Sequence, residues 1–473
     1  MHHYGFMING SFVFTSQKFK VKNRYTNEEF AEVSLAFEND VTNAINSAHE
    51  AFQISKKLPT HKRASILRKI AERIEVKKNE LAEIITIETG KPIKLSRVEI
   101  DRSITTFQFA AEEVGHLFGE VLPLDVTPQS ENRFGIVKRF PIGPVLAITP
   151  FNFPINLASH KIAPAIAAGN TIVFKPASAC MISGIKLAEI VNDCCEVPGM
   201  INSILCSGST LNKFIADKRI KKISFTGSSE IGWAIKQKAF KQKVTLELGG
   251  NAGVFVDENS NLDFAVPRIA VGSFAHAGQI CIAVQRIFVH KNIYEDFEKR
   301  FIEETSKIKY GDPMDEDVLV GPMITDGDAK RVEEWVNEAV ESGAKILIGG
   351  KREGGFYQPT ILTNTTPEMK VNSMELFAPV VTLAKVDSFE EGIEQINNSV
   401  YGLQAGVFTN NLQNAFDAYE NIEAGGVIIN DYPTFRVDNM PYGGVKESGS
   451  GREGIRYAIE EMTELKLGVF NRI

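Results

Sequence analysis

Cysteine is scarce in this sequence, and no excess of positive charge is present. Five cysteines, Cys180, Cys194, Cys195, Cys206 and Cys281, are spread over 473 residues. The count is odd and the vicinal pair Cys194–Cys195 is a poor start for a disulfide framework, so reduced thiols in a cytoplasmic chain are expected. No second cysteine stands at metal-ligand spacing from Cys281, and no metal site is expected. Lys and Arg number 52 against 59 Asp and Glu, a net charge of −7. A nucleic-acid binder would carry a basic patch or stripe, so no nucleic-acid partner is expected. No apolar run reaches the ~20 residues of a membrane span. The opening "MHHYGFMINGSFVF" lacks the basic and long apolar regions of a signal peptide.

What remains is a globular composition, 43% hydrophobic, enough to bury a large core. At ~100–200 residues per domain the length suggests two to four domains. Residues 40 to 118 repeat apolar side chains at helical spacing, with Asp40 as the expected N-cap and a stop at Gly90 and Pro92. From about 145 the texture alternates. The strands "VLAITP", "NTIVFKP", "INSILCS" and "KKISFTG" each lead into a helix. That predicts an α/β fold with a parallel sheet covered on both faces, whose ligands bind beyond the carboxyl ends of the strands. "KVTLELGGNAGVFV" marks a seam. After it "QRIFVH", "KILIGG", "PVVTLAKV", "QAGVFT" and "GGVIIND" predict a second α/β domain over roughly 250–440. The tail reads as a helix and then a strand with no obvious local partner, which can pair with another subunit.

Several junctions carry chemistry. In "SFTGSSEIGWAI" a strand runs through Gly227 into a helix, whose free N–H groups and positive dipole end suit a phosphate; a tight β-α turn explains it equally well. The complete G-x-G-x-x-G of "GSGREG", 449 to 454, follows no strand and opens no βαβ unit, so it carries little weight as a nucleotide loop. Lys175 ends a strand at the ligand edge, where its ammonium can meet a ribose hydroxyl or a phosphate. Asn152, between the aromatics and prolines of "TPFNFP", is a rigidly held amide suited to a developing oxyanion. Glu247 in "TLELGGN" is a carboxylate on an apolar strand. It is either a buried base with a raised pKa or a solvent-facing edge residue. Cys281 in "GQICIA" follows Gly278 and is expected to begin or abut a helix whose dipole favours thiolate; taken alone, it reads more readily as a buried core cysteine. Glu375 precedes Phe377 at the rigid bend "ELFAPV".

In chain order these segments resemble the aldehyde dehydrogenase superfamily: "PFNFP", "FKP", "FTGSSEIG", "LELGG", "GQICIA", "ELFAPV", "GGVIIND" and "MPYGGVKESGSGREG". The resemblance spans the whole chain and is most similar to lactaldehyde and glyceraldehyde types. It implies a Rossmann-type nucleotide-binding domain over 1–118 and 141–249 and an α/β catalytic domain over 250–440. A small β oligomerisation arm and tail over 119–140 and 455–473 would join a homodimer or homotetramer. It implies Cys281 as the nucleophile that forms a thiohemiacetal and then a thioester. Asn152 would stand in the oxyanion hole, and Glu247 would be the base for hydrolysis. It also implies cofactor contacts from Thr149, Pro150, Lys175, Gly227, Ser228, Gly249, Glu375 and Phe377, with a small-molecule aldehyde as substrate.

Three positions depart from the usual pattern. Ser178 stands where many NAD-preferring members carry a glutamate that repels a 2′-phosphate, so NADP is expected to be accepted, with NAD also possible. Ala378 and Gly253 replace a usual glycine and proline. Ile280, before the nucleophile, offers no charge to a phosphorylated substrate. Arg436 and His160 are candidate cations for an acidic aldehyde, with structural hydrogen bonding as the alternative. The substrate expectation is a small hydroxyaldehyde, with succinate semialdehyde as the runner-up. Glu247 disfavours a coenzyme-A-acylating relative. The retained trio Cys281, Asn152 and Glu247 disfavours an inactive binding protein of the same fold.

Overall fold

The apolar runs beyond residue 144 form strands because both of their faces meet a core. Every residue of Val145–Ile148 and Ile172–Lys175 is buried, and successive side chains go to opposite faces. Val145, Ala147, Ile172 and Phe174 pack with Ile66, Ile100 and Phe107 of the early helices. Leu146, Ile148 and Val173 pack with Ile185, Ile223 and Ile235. Burial on both faces is the condition under which parallel strands persist. The structure, a computed structural model, describes residues 2–117 and 119–472. Met1, Phe118 and Ile473, at the ends of expected segments, lie outside the described residues.

Five parallel strands lie in the order Lys243–Glu247, Lys222–Thr226, Val145–Ile148, Ile172–Lys175, Ile201–Ser203. Antiparallel strands extend both ends, Gly449–Ser450 on one side and the pair Phe6–Ile8 and Ser11–Val13 on the other. The chain builds outward from Val145–Ile148 in one direction, returns, and builds in the other. The order therefore reverses between Val145–Ile148 and Lys222–Thr226, which opens a crevice past their carboxyl ends.

A second sheet orders Lys345–Ile348, Thr360–Thr363, Val380–Val386, Val284–His290, Ala252–Val256, Gln404–Phe408 and Gly426–Ile429. Only its first pair is antiparallel. A third sheet is antiparallel throughout, Thr463–Asn471 against Arg133–Pro141 against Glu120–Pro123. The terminal strand thus has a partner in its own chain, remote in sequence. Its outer edge has no strand beside it among the described residues, and Leu465, Leu467 and Val469 are exposed there. A further small sheet, His2–Tyr4, Glu29–Ser34 and Lys18–Lys22, precedes the helices. Its strands are short; Lys18–Lys22 is largely exposed, while Ala31, Val33 and Ser34 of Glu29–Ser34 are buried.

The early helices are Glu38–Ser55, Thr60–Val76, Lys78–Thr89 and Ile93–Glu113. Asp40 is not the N-cap. It is the third helical residue, and its carboxylate reaches back to accept the Phe37 N–H at 2.8 Å. Gly90 ends its helix at φ +71°, as the stop signal required. Among the described residues no helix is long and apolar enough to cross a membrane.

Candidate active site

Past Val145–Ile148 the chain runs through Thr149 and Pro150 to Asn152, which is buried. One N–H of its amide donates to the Gln279 carbonyl at 3.0 Å. The amide oxygen is buried and has no hydrogen-bond partner among the described residues. Beneath the loop lies a buried ion pair. Lys91 donates to Glu99 at 2.6 Å and to the Asn152 backbone carbonyl at 2.9 Å, with its ammonium 3.5 Å from the Phe153 ring centroid. The other Glu99 oxygen accepts the N–H groups of Ile155 and Asn156 where the helix Asn156–Ala168 begins.

The thiol arrives from the second sheet. The helix Leu262–Phe274 ends in a turn where His276, Ala277 and Gly278 take φ of +53°, +54° and +65°. Only glycine fits at 278, because a Cβ there would lie 2.1 Å from the Ala378 carbonyl oxygen. Cys281 follows, half-buried, three residues ahead of the strand Val284–His290. No helix begins at Cys281, which corrects the expected dipole. Burial, with no helix end to offset it, pushes the thiol up to about 11. The hydroxyl of Tyr442, 3.1 Å from Sγ, acts against that rise.

Glu247 is the last residue of its strand, flanked by Lys222–Thr226 and Gly449–Ser450. It is 3% exposed, and among the described residues neither carboxylate oxygen has a hydrogen-bond partner. Burial, and then the nearby Glu453 carboxylate, hold its pKa well above the usual range. The buried reading of this position is the one observed. Gly443 leaves the room it occupies, since a Cβ there would stand 2.9 Å from Oε1.

Around this trio lies a set of buried charges that sequence reasoning did not assemble. Glu453 accepts from Lys161 at 2.7 Å and Arg436 at 3.3 Å. Burial opposes its charge, yet Lys161 and Arg436 outweigh burial and hold it down to about 2. Arg436 also lies over the Tyr442 ring, 3.6 Å from its centroid. His160 is fully enclosed and bonded to Asp438 at 2.7 Å, and Arg102 holds the same carboxylate at 2.7 Å. Burial keeps His160 below its ordinary pKa. His160 and Arg436 are therefore engaged inside the protein rather than free at a funnel wall. The half-exposed Arg102 was not singled out. "GSGREG" supplies both Glu453 and the strand that flanks Glu247; an acidic residue among glycines was the signal it offered. Ile280 packs in a small apolar cluster with Ile282, Leu403, Tyr442 and Cys281.

The expected cofactor residues border the crevice. Lys175 is buried, its ammonium makes no hydrogen bond among the described residues, and burial lowers its pKa. The Thr149 hydroxyl is buried without a partner among the described residues, while its N–H donates to the Lys175 carbonyl at 3.3 Å. Ser178 is exposed just after the strand. Gly227 donates to the Glu247 carbonyl at 3.0 Å, and Ser228 stands at the N-terminal boundary of the helix Ser229–Lys238 with no side-chain cap bond. Glu375 accepts the Gly250 N–H at 2.8 Å, and burial pushes it up to about 7. Gly249 makes space for it, since a Cβ would come 2.5 Å from Oε2. Phe377 sits at φ +52°, a strained conformation for an aromatic residue, edge-on to Phe151 with centroids 6.0 Å apart. An unpartnered ammonium, an orphaned hydroxyl, a helix start and a buried carboxylate along one crevice fit a dinucleotide.

The sequence model of the aldehyde dehydrogenase family matches residues 12–467. A 3-sulfolactaldehyde dehydrogenase of Priestia aryabhattai is 46% identical over 469 residues, covering 99% of this chain and 98% of that protein. A lactaldehyde dehydrogenase of Methanococcus aeolicus is 42% identical over 469 residues, covering 98% and 99% respectively. Among solved structures, the glyceraldehyde-3-phosphate dehydrogenase GapN of Methanocaldococcus jannaschii, complexed with NADP, is similar with a TM-score of 0.93. It is 40% identical and covers 97% of this chain and 100% of that one.

Proposed function

The chain belongs to the aldehyde dehydrogenase family, and on that premise we propose that it oxidises a small 2-hydroxyaldehyde to the free acid with NAD(P)+, through Cys281. The observation that carries the reading is a buried carboxylate, Glu247, that has no hydrogen-bond partner among the described residues and lies close enough to the Cys281 thiol for its charge to act on it. The Cys281 thiolate attacks the aldehyde carbon to give a thiohemiacetal. The second N–H of the Asn152 amide and the Cys281 backbone N–H receive the oxyanion. NAD(P)+, when bound, would supply the hydride acceptor for that carbon, and the Cys281 adduct would then be a thioester. Glu247 takes a proton from water as the water adds, the thiolate departs, and the acid is released.

Lys175 and Glu375 would hold ribose hydroxyls, and Gly227 and Ser228 the phosphates. Thr149, Pro150 and Gly249 shape the same crevice, with Phe377 beside the nicotinamide. Ser178 presents a neutral donor where a 2′-phosphate would lie, which supports acceptance of NADP. The names of the two sequence relatives denote 2-hydroxyaldehydes, which supports that substrate class. A cytoplasmic homodimer or homotetramer joined through the outer edge of Thr463–Asn471 accompanies the reading.

An aldehyde panel assayed separately with NAD and NADP tests it. Lactaldehyde or a 3-substituted analogue should give a burst of reduced cofactor that Cys281→Ala abolishes. Full turnover by that variant, or strict rejection of 2-hydroxyaldehydes, would refute the proposal.

A further inference from the structure

We propose that Tyr442 is a catalytic residue of this site: its hydroxyl donates to the Cys281 thiolate in the free enzyme and turns to the 2-hydroxyl of the bound 2-hydroxyaldehyde once the carbon–sulfur bond has formed. The proposal rests on the substrate reading given above and extends it to the residue that reads the 2-hydroxyl.

The Tyr442 hydroxyl stands 3.1 Å from Cys281 Sγ and makes no other hydrogen bond among the described residues. With a neutral thiol either group can donate. With a thiolate only the tyrosine can, and a hydrogen bond to an ionised partner is the stronger kind. The thiol has few other sources of help. No helix starts at Cys281, and burial works against its ionisation. The tyrosine is placed to stay a donor, because burial, then the nearby thiol, raises its own pKa well above 10.

Its position is enforced from several sides. The Tyr442 N–H donates to the Glu453 carbonyl at 3.0 Å, and the Glu453 N–H returns a bond at 2.6 Å. The Arg436 guanidinium covers the ring at 3.6 Å, and Ile282 and Leu403 pack with it in one cluster. The phenolic oxygen is therefore fixed beside the sulfur, and only its O–H can turn, about the C–O bond, from one acceptor to another.

Attack on the aldehyde removes the negative charge from sulfur, and with it the acceptor. A hydroxyl on the carbon next to the former carbonyl is then a near neighbour of that sulfur and can accept in its place. An aldehyde without a hydroxyl on that carbon leaves the buried tyrosine donor unpaired, which a polar site penalises. Tyr442 neither gains nor loses its proton in the cycle, so the stoichiometry of the oxidation is unchanged.

Tyr442→Phe keeps the ring and removes only the hydroxyl. Alkylation of Cys281 by iodoacetamide, followed by peptide mass against pH in the full-length free enzyme, should shift its midpoint upward by about one pH unit. The ratio of kcat/KM for lactaldehyde over propanal should fall about tenfold. An unshifted midpoint overturns the thiolate contact, and an unchanged ratio overturns the transfer to substrate. A wild-type enzyme that oxidises neither aldehyde refutes the substrate reading and with it the transfer, while the alkylation midpoint still decides the contact.

Discussion

Lys91 holds Asn152 by its backbone. The ammonium donates to the Asn152 carbonyl at 2.9 Å, while the Asn152 amide spans to the Gln279 carbonyl at 3.0 Å, two residues before the thiol. The amide proposed for the oxyanion is thus fixed at both ends by groups from different parts of the chain. Lys91→Met leaves Glu99 charged, buried and short of its partner. Removing one member of a buried pair costs about 3–5 kcal/mol, and urea unfolding should show a loss of that size. The kcat should fall about a hundredfold as the amide loses its placement. A loss of less than ~1 kcal/mol would show that Lys91 is dispensable.

Glu247→Gln preserves the volume of the side chain and removes the base. Hydride transfer should continue for one turnover, and thioester hydrolysis should slow by about 10²–10⁴-fold. Rapid mixing should then record a burst of reduced cofactor close to one equivalent per site, followed by slow release of acid. A variant with wild-type steady-state turnover would assign the base elsewhere.

The pH response of that step has a definite sign. Burial and Glu453 raise the Glu247 carboxyl above 4.5. Below the raised value it is protonated and cannot accept from water, so hydrolysis accelerates as pH rises through it and then levels. The decay of the acyl-enzyme, followed from low to neutral pH, should have its midpoint above 4.5. For stability the raised folded value means that the native state binds this proton more tightly. The contribution is present at low pH and is lost as pH rises from 4.5 through the folded value. Glu247→Gln should flatten that part of the stability profile.

Ser178→Glu tests cofactor choice. An exposed serine offers a 2′-phosphate a donor, whereas a glutamate repels it and can grip a 2′-hydroxyl instead. The kcat/KM with NADP should drop about tenfold or more, and that with NAD should hold or rise. Equal losses with both cofactors would remove Ser178 from the 2′-position.

Thr463–Asn471 shows where sequence reading stops. Its alternation marks a strand, but its partner Arg133–Pro141 lies more than 300 residues upstream, and no local signal links the two. Cys281 shows the same limit in another form. Gly278 was legible as a turn, since its φ of +65° needs glycine. The helix expected to begin or abut Cys281 is replaced by a turn into Val284–His290, the strand read in "QRIFVH", which begins too soon after the thiol to leave room for a helix.

The sequence by itself determined the alternation of strands and helices, the seam near 250, and the chemical types at Asn152, Glu247 and Cys281, because periodicity and turn chemistry act over a few residues. Only the tertiary structure decided which of those groups lack partners and which have gained them. Glu247 is left without a hydrogen bond, Glu453 is held between Lys161 and Arg436, and Tyr442 reaches Cys281 from 161 residues away. Burial and charge pairing set protonation, and both depend on side chains that meet only after the two large sheets have packed.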